Sequence, residues 1–257
     1  MNRTFAMGDV HACYDEMMSL YKKLEDEAHF NPEEDVLVFL GDYVDRGPKA
    51  KQVITQLMKW NKLYPHWKFL IGNHEDLMLD ALVYNGQQYH DYDLWWEQGG
   101  KQTAYSYIPK NRSAYEKAIT SIKDSISYEH LKWLMERPYY FDTEKYFFVH
   151  GAVIPGMSLK TLKKKLDEPL PSEEKQAVIW GRETFINSDF PWGKKIVFGH
   201  TADYDGHHNP PTWEPFQPII KENKIGIDTA VCPPSSHVLT AVELPAEKFY
   251  YQESLGS

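Results

Sequence analysis

Residues 41–47 read GDYVDRG and follow directly on the apolar run DVLVFL at residues 35–40. Two acids and an arginine therefore stand close together at the mouth of a segment with buried-strand character. Acids and arginines are seldom buried unless they are paired or bound to a metal. The stretch is then either a water-facing turn, with Gly41 and Gly47 supplying backbone freedom, or part of a site. The remainder of the chain decides between the two. RTFAM runs into GDVH, WKFLI into GNHE, YFFV into HG, KIVF into GHT and KIGI into DT, so short apolar runs repeatedly end in a distinctive polar group. In open α/β folds ligands collect beyond the carboxyl ends of strands. These strand ends are expected to converge on one site.

Helical patterns lie between the strands. CYDEMMSLYKKLEDEA places Met17, Leu20, Leu24 and Ala28 on one face, and AKQVITQLMKW does the same with Val53, Ile54, Leu57 and Met58. Asn31-Pro32 stops the first helix. SYEHLKWLMERP predicts a helix capped by Ser127 and closed before Pro138, followed by a hairpin over DTEK. The first part of the chain is thus βαβαβ-like. The proline-rich segment at residues 203–218 reads as a long surface loop, and the aromatic segment around Trp95 and Trp96 as core or as a wall of the site.

The chain has 257 residues, 42% of them hydrophobic and 14% aromatic, which predicts one packed α/β domain over residues 1–257. A formal charge of −9 argues against an extended nucleic-acid footprint. No apolar run approaches membrane-spanning length and the amino terminus lacks a signal-peptide core, so a cytoplasmic protein without membrane contact is expected. Cys13 and Cys232 form neither a disulfide framework nor a CxxC pair and read as buried or idle thiols.

Asp9 and His11 follow the first strand, Asp42 the second, Asn73 the third, and His150 and His200 later ones. Together they supply oxygen and imidazole ligands for a pair of divalent transition metals, with one carboxylate free to bridge. Calcium loops would lack the imidazoles and a structural zinc site would want thiolates. A dinuclear centre can hold a bridging hydroxide and neutralise a phosphoryl group during in-line displacement, provided that a positive clamp holds the remaining oxygens. Arg46 offers one guanidinium fork and Arg182, in IWGRE, a second. His74, beside Asn73 at a helix start, is placed to protonate the leaving group, with Asp45 holding the imidazolium. His29, His66, His90 and His130 are assigned no role, and His207, His208 and His237 read as loop residues.

GDVHA, GDYVDRG, GNHE, HGA and GHT occur in that order over residues 8–201, with IDTA beyond. In this the sequence resembles the phosphoprotein phosphatase family of calcineurin-like metallophosphoesterases, above all the small bacterial and lambda-type bacteriophage serine/threonine protein phosphatases. Symmetrical dinucleoside tetraphosphate hydrolases are close relatives. The resemblance implies two mixed β-sheets packed face to face and flanked by helices. It also implies a first metal on Asp9, His11 and Asp42, a second on Asp42, Asn73, His150 and His200, and His74 with Asp45 as the acid. Asn73, Arg46 and Arg182 would bind the phosphate, and the ions would be manganese first, with iron or zinc as alternatives. Ala12 and Ala230 stand where the family has glycine, and HGA reverses the usual order of the small residues.

The expected function is hydrolysis of phosphomonoesters, phosphoserine and phosphothreonine foremost, on a phosphorylated protein or a small phosphoester. Symmetrical cleavage of diadenosine tetraphosphate is the alternative. A catalytically silent binding module would have lost a ligand or His74, and none is missing.

Overall fold

The computed structural model describes residues 3–83, 92–108, 125–208, 214–232 and 237–255. His90 lies outside the described residues, as does the middle of the proline-rich loop.

Two five-stranded mixed sheets form the centre. In the first, β1 (Thr4–Met7), β2 (Val36–Phe39) and β3 (Lys68–Phe69) run parallel, and β9 (Val238–Leu244) and β10 (Lys248–Glu253) complete it antiparallel in the order β10-β9-β1-β2-β3. In the second, β5 (Tyr146–Val149), β6 (Lys195–Phe198) and β8 (Lys224–Gly226) run parallel. They are flanked antiparallel by β4 (Tyr140–Asp142) and β7 (Ile219–Lys221) in the order β4-β5-β6-β8-β7. The hairpin over DTEK is the β4–β5 turn, and every apolar run singled out in the sequence is a strand.

Side chains alternate across each strand, and the alternation fixes the layers. Ala6, Val38 and Val242 of the first sheet meet Phe148, Val197 and Ile225 of the second in one buried cluster between the sheets. Phe5, Met7, Leu37 and Phe39 point to the opposite face and pack on the apolar sides of α1 (Tyr14–Glu27) and α2 (Ala50–Leu63). On the far side of the second sheet, Phe147, Val149, Ile196 and Phe198 pack on the helices Leu159–Leu166 and Glu173–Trp180. This is a helix-flanked sandwich of two mixed sheets.

Local details depart from expectation in three places. Trp60 rather than Met58 completes the buried face of α2, with Met58 only partly covered. Ser127 precedes the helix Tyr128–Met135, but its side chain makes no capping hydrogen bond. The first helix ends at Glu27, ahead of Asn31-Pro32, because the chain turns through His29 at φ 51°. In the proline-rich segment, residues 203–208 and 214–218 carry no helix or strand. Among the described residues no helix is long and apolar enough to cross a membrane.

Candidate metal centre

Each sheet directs three parallel carboxyl ends to the same place. β1 delivers Asp9 and His11, β2 delivers Asp42, and β3 leads into Asn73 at the start of α3 (Asn73–Leu82). From the other sheet β5 delivers His150, β6 His200 and β8 Asp228. All seven side chains are buried. The motif glycines explain how strand ends can approach so closely: a methyl group on Gly199 would overlap the Asp9 carboxylate, and one on Gly72 would overlap that of Asp42.

Two groups of potential ligand atoms share Asp42: His11, Asp42 and His74 on one side, and Asp42, His150 and His200 on the other, each within 4.8 Å. Asp42 Oδ2 is 3.4 Å from His11 Nε2, and its Oδ1 is 3.3 Å from His150 Nε2. His11 Nδ1 donates to the Val44 carbonyl at 3.1 Å and His150 Nδ1 to the Leu40 carbonyl at 2.9 Å. A carbonyl can only accept, so both Nε2 atoms carry lone pairs aimed at the centre. His150 Nε2 nevertheless lies 2.9 Å from Asn73 Oδ1, a meeting of two acceptors that a cation between them would resolve. Asp9 Oδ2 accepts from the His200 amide at 2.9 Å, whereas Asp9 Oδ1 and His200 Nε2 are buried with no hydrogen-bond partner. These orphaned atoms and the mixed oxygen and imidazole donors fit divalent transition ions.

The electrostatics agree. Burial, then the positive charge of Arg46, pushes His11 well below the ordinary imidazole range, and burial followed by His150 and Arg182 does the same to His200. Burial also lowers His150, against the pull of Asp42. The rings are thereby held neutral, the form that binds a metal. Burial, then Asp228 and Asp42, drives Asp9 well above the usual carboxylate range. Buried acids that raise one another's pKa call for a cation.

Beside this cluster His74 Nδ1 donates to Asp45 Oδ2 at 2.8 Å, and Asp45 Oδ1 accepts from Trp95 Nε1 at 3.1 Å and Thr103 Oγ1 at 2.7 Å. The His74 ring is fixed by this chain of bonds, with Nε2 turned to Asp42 Oδ2 4.0 Å away. Arg46 spans the same face, with Nη1 2.9 Å from His11 Nε2 and Nη2 3.0 Å from His74 Nε2. Arg182 approaches from the second sheet, where Nη1 donates to the His200 carbonyl at 2.7 Å and to Thr201 Oγ1 at 3.3 Å. The structure thus brings the side chains singled out in the sequence together around Asp42 and His200.

The backbone carries strain there. His11, Asp42, Asp45, Arg46 and His200 have φ between 42° and 67°, a left-handed conformation that costs non-glycine residues roughly 1–2 kcal/mol each. Ala12 and Ala230 share it, with φ 57° and 58°, so the departures from glycine add strain and remove no ligand.

Four contributors were given no role from the sequence. Asp228 was visible as the polar tip of KIGI, yet nothing near it in the sequence names a partner. Trp95 and Thr103 reach Asp45 from another element. Glu75 belongs to GNHE, but its work is done on residues far upstream: Oε2 accepts the amides of Asp42 at 2.8 Å and Gly72 at 2.9 Å, and Oε1 those of Tyr43 at 2.7 Å and Val44 at 3.2 Å. Burial and the charge of Asp42 push this carboxyl up to about 8, against amide donors that favour its ionised form. Glu75→Gln turns an NH₂ group toward two of those amides. We expect metal affinity to fall about 10–100-fold and stability by roughly 1–3 kcal/mol. Manganese titration and thermal unfolding check this, and unchanged values in both would show that the clamp is dispensable.

A two-sheet sandwich whose strand ends gather acids and imidazoles around one shared aspartate defines a metallophosphoesterase. The calcineurin-like phosphoesterase family model matches residues 3–232, and the chain belongs to that family. Over 200 residues, 78% of this chain, it is 25% identical to a symmetrical bis(5'-nucleosyl)-tetraphosphatase from Vibrio parahaemolyticus, but it spans only 59% of that relative's length. It is 27% identical to serine/threonine-protein phosphatase 1 of Salmonella typhimurium, over 77% of each chain. A protein serine/threonine phosphatase structure from Saccharomyces cerevisiae has the same fold, with a TM-score of 0.60 and 14% identity over 100% of this chain and 81% of that one.

Proposed function

We propose that the chain is a dinuclear phosphomonoesterase acting on phosphoserine or phosphothreonine. The observation that carries the proposal is the pair of imidazole–carboxylate groups sharing Asp42, flanked by Arg46 and by His74 on Asp45. Asp9, His11 and Asp42 would hold one ion, and Asp42, Asn73, His150 and His200 the other, with manganese favoured and iron or zinc as alternatives. Such ions supply Lewis acidity and lower the pKa of the attacking water. The chain's own residues do the rest. Arg46 swings its fork from the two imidazoles onto phosphoryl oxygens, Arg182 binds them from the opposite sheet, and His74 Nε2 delivers a proton to the departing oxygen while Asp45 steadies the ring.

Charge supports a single phosphoryl group. A tetraphosphate needs cations along its length, but Lys194 is turned away to Asp142 and the Thr143 carbonyl, and Lys101 lies over the Tyr105 ring at 5.6 Å. The relative named for tetraphosphate cleavage is the specific observation on the other side. We expect phosphoserine and phosphothreonine peptides to give a higher kcat/KM than diadenosine tetraphosphate at matched metal and ionic strength. A tenfold preference for the dinucleotide, about 1.4 kcal/mol, reverses the assignment.

A further inference from the structure

Residues 96–100 read WEQGG, although glycine is the poorest helix former after proline. The two glycines interrupt one helical run, Tyr92–Trp95, Trp96–Gly100 and Lys101–Tyr107, which kinks at Gly99 with φ 114° and ψ 2°. Each makes room for a residue of the site. A methyl group on Gly100 would overlap the ring of Trp95, whose Nε1 donates to Asp45 Oδ1. One on Gly99 would lie 2.6 Å from the Arg46 amide nitrogen and 3.0 Å from Arg46 Cγ.

The same run holds two strained residues of GDYVDRG. Asp45 and Arg46 both have left-handed backbone, at φ 67° and 66°. The Asp45 amide donates to Thr103 Oγ1 at 2.7 Å, and the Arg46 amide to the Gly99 carbonyl at 3.3 Å. The Arg46 stem therefore starts from a fixed backbone and lies along the bare Cα of Gly99. Its fork rests on two imidazole lone pairs, His11 Nε2 at 2.9 Å and His74 Nε2 at 3.0 Å. A metal ion requires the first of these and a leaving-group proton the second. The fork has to vacate both when a phosphoryl group arrives, and with the backbone held it is the stem that turns.

We propose that Gly99 is a positioning residue for phosphate binding: its carbonyl holds the Arg46 backbone, and its missing side chain gives the Arg46 stem the clearance to carry the fork from the imidazoles to phosphoryl oxygens. This rests on the reading of Arg46 as a phosphate ligand given above. Gly99 acts through Arg46 and needs no contact with substrate. An alanine there meets two obstacles. A φ of 114° is closed to residues with a Cβ, and the added methyl group would press on the amide and stem of Arg46.

The test is a double-mutant cycle on the manganese-loaded chain, read as the affinity for inorganic phosphate and as KM and kcat for a phosphomonoester. Arg46→Ala should weaken phosphate binding about 10–100-fold. Gly99→Ala should weaken it about tenfold or more and raise KM more than it lowers kcat. Combined, the two should cost no more than Arg46→Ala alone. Gly156→Ala controls for backbone strain, because its φ is 84° and nothing lies within 4 Å of an added methyl group; it should leave phosphate affinity unchanged. Losses that add in the double variant, or an equal loss from Gly156→Ala, overturn the role of Gly99 and leave Arg46 as the clamp. An Arg46→Ala chain that binds phosphate like the parent overturns the clamp, and the role of Gly99 with it. Should Gly99→Ala fail to fold, amide hydrogen exchange at Arg46 in the parent chain decides: slow exchange with and without phosphate supports the held backbone, and fast exchange in either state overturns it.

Discussion

Asp42→Asn should lower kcat/KM for a phosphomonoester roughly 10³-fold or more, about 4 kcal/mol of transition-state stabilisation. The carboxylate stands between two imidazoles, 3.4 Å from His11 and 3.3 Å from His150, and is common to both groups of ligand atoms. An amide preserves its shape but removes the charge on which both ions depend. Asp42 Oδ1 also accepts the His74 amide at 3.0 Å, so the substitution loosens the start of α3 as well. Asp9→Asn removes charge from one side only and should chiefly weaken one ion. Metal content per chain after exhaustive dialysis separates the cases: both ions lost in the first variant, one in the second. An Asp42→Asn chain that keeps two ions and its full rate would remove the shared ligand from the account.

His74→Asn should cost about 10²- to 10⁴-fold on an alkyl phosphate such as phosphoserine and much less on p-nitrophenyl phosphate, whose phenolate departs with little help. The expectation rests on the fixed ring. Nδ1 is held at 2.8 Å by Asp45, which is itself held by Trp95 and Thr103, so Nε2 has one direction in which to act. Asparagine leaves the strand ends and Asn73 in place but cannot carry the proton. Equal losses on the two substrates with unchanged metal content would show that His74 serves phosphate binding rather than leaving-group protonation.

The six apolar runs with polar tips foretold both the parallel strands and the convergent site because each carried two signals at once, a buried run and a group that burial forbids unless it is satisfied. Apart from the first strand of the DTEK hairpin, strands without such tips went unseen. Val238–Leu244 and Lys248–Glu253 pair antiparallel at the side of the first sheet, and Ile219–Lys221 is an edge strand of the second. None of the three contributes a ligand, so no functional group marks its end. Among site residues, those adjacent to a glycine at a strand tip were apparent, whereas Glu75, Thr103 and Trp95 act on backbone or carboxylates that only the folded chain brings near.

Manganese titration of the metal-stripped chain, with phosphomonoester hydrolysis followed on the same samples, tests the central claim most directly. Two ions per chain, with activity appearing as the second site fills, is the predicted result. Full hydrolysis by a chain shown to be metal-free, or full activity with a single ion bound, would contradict the dinuclear centre built on Asp42.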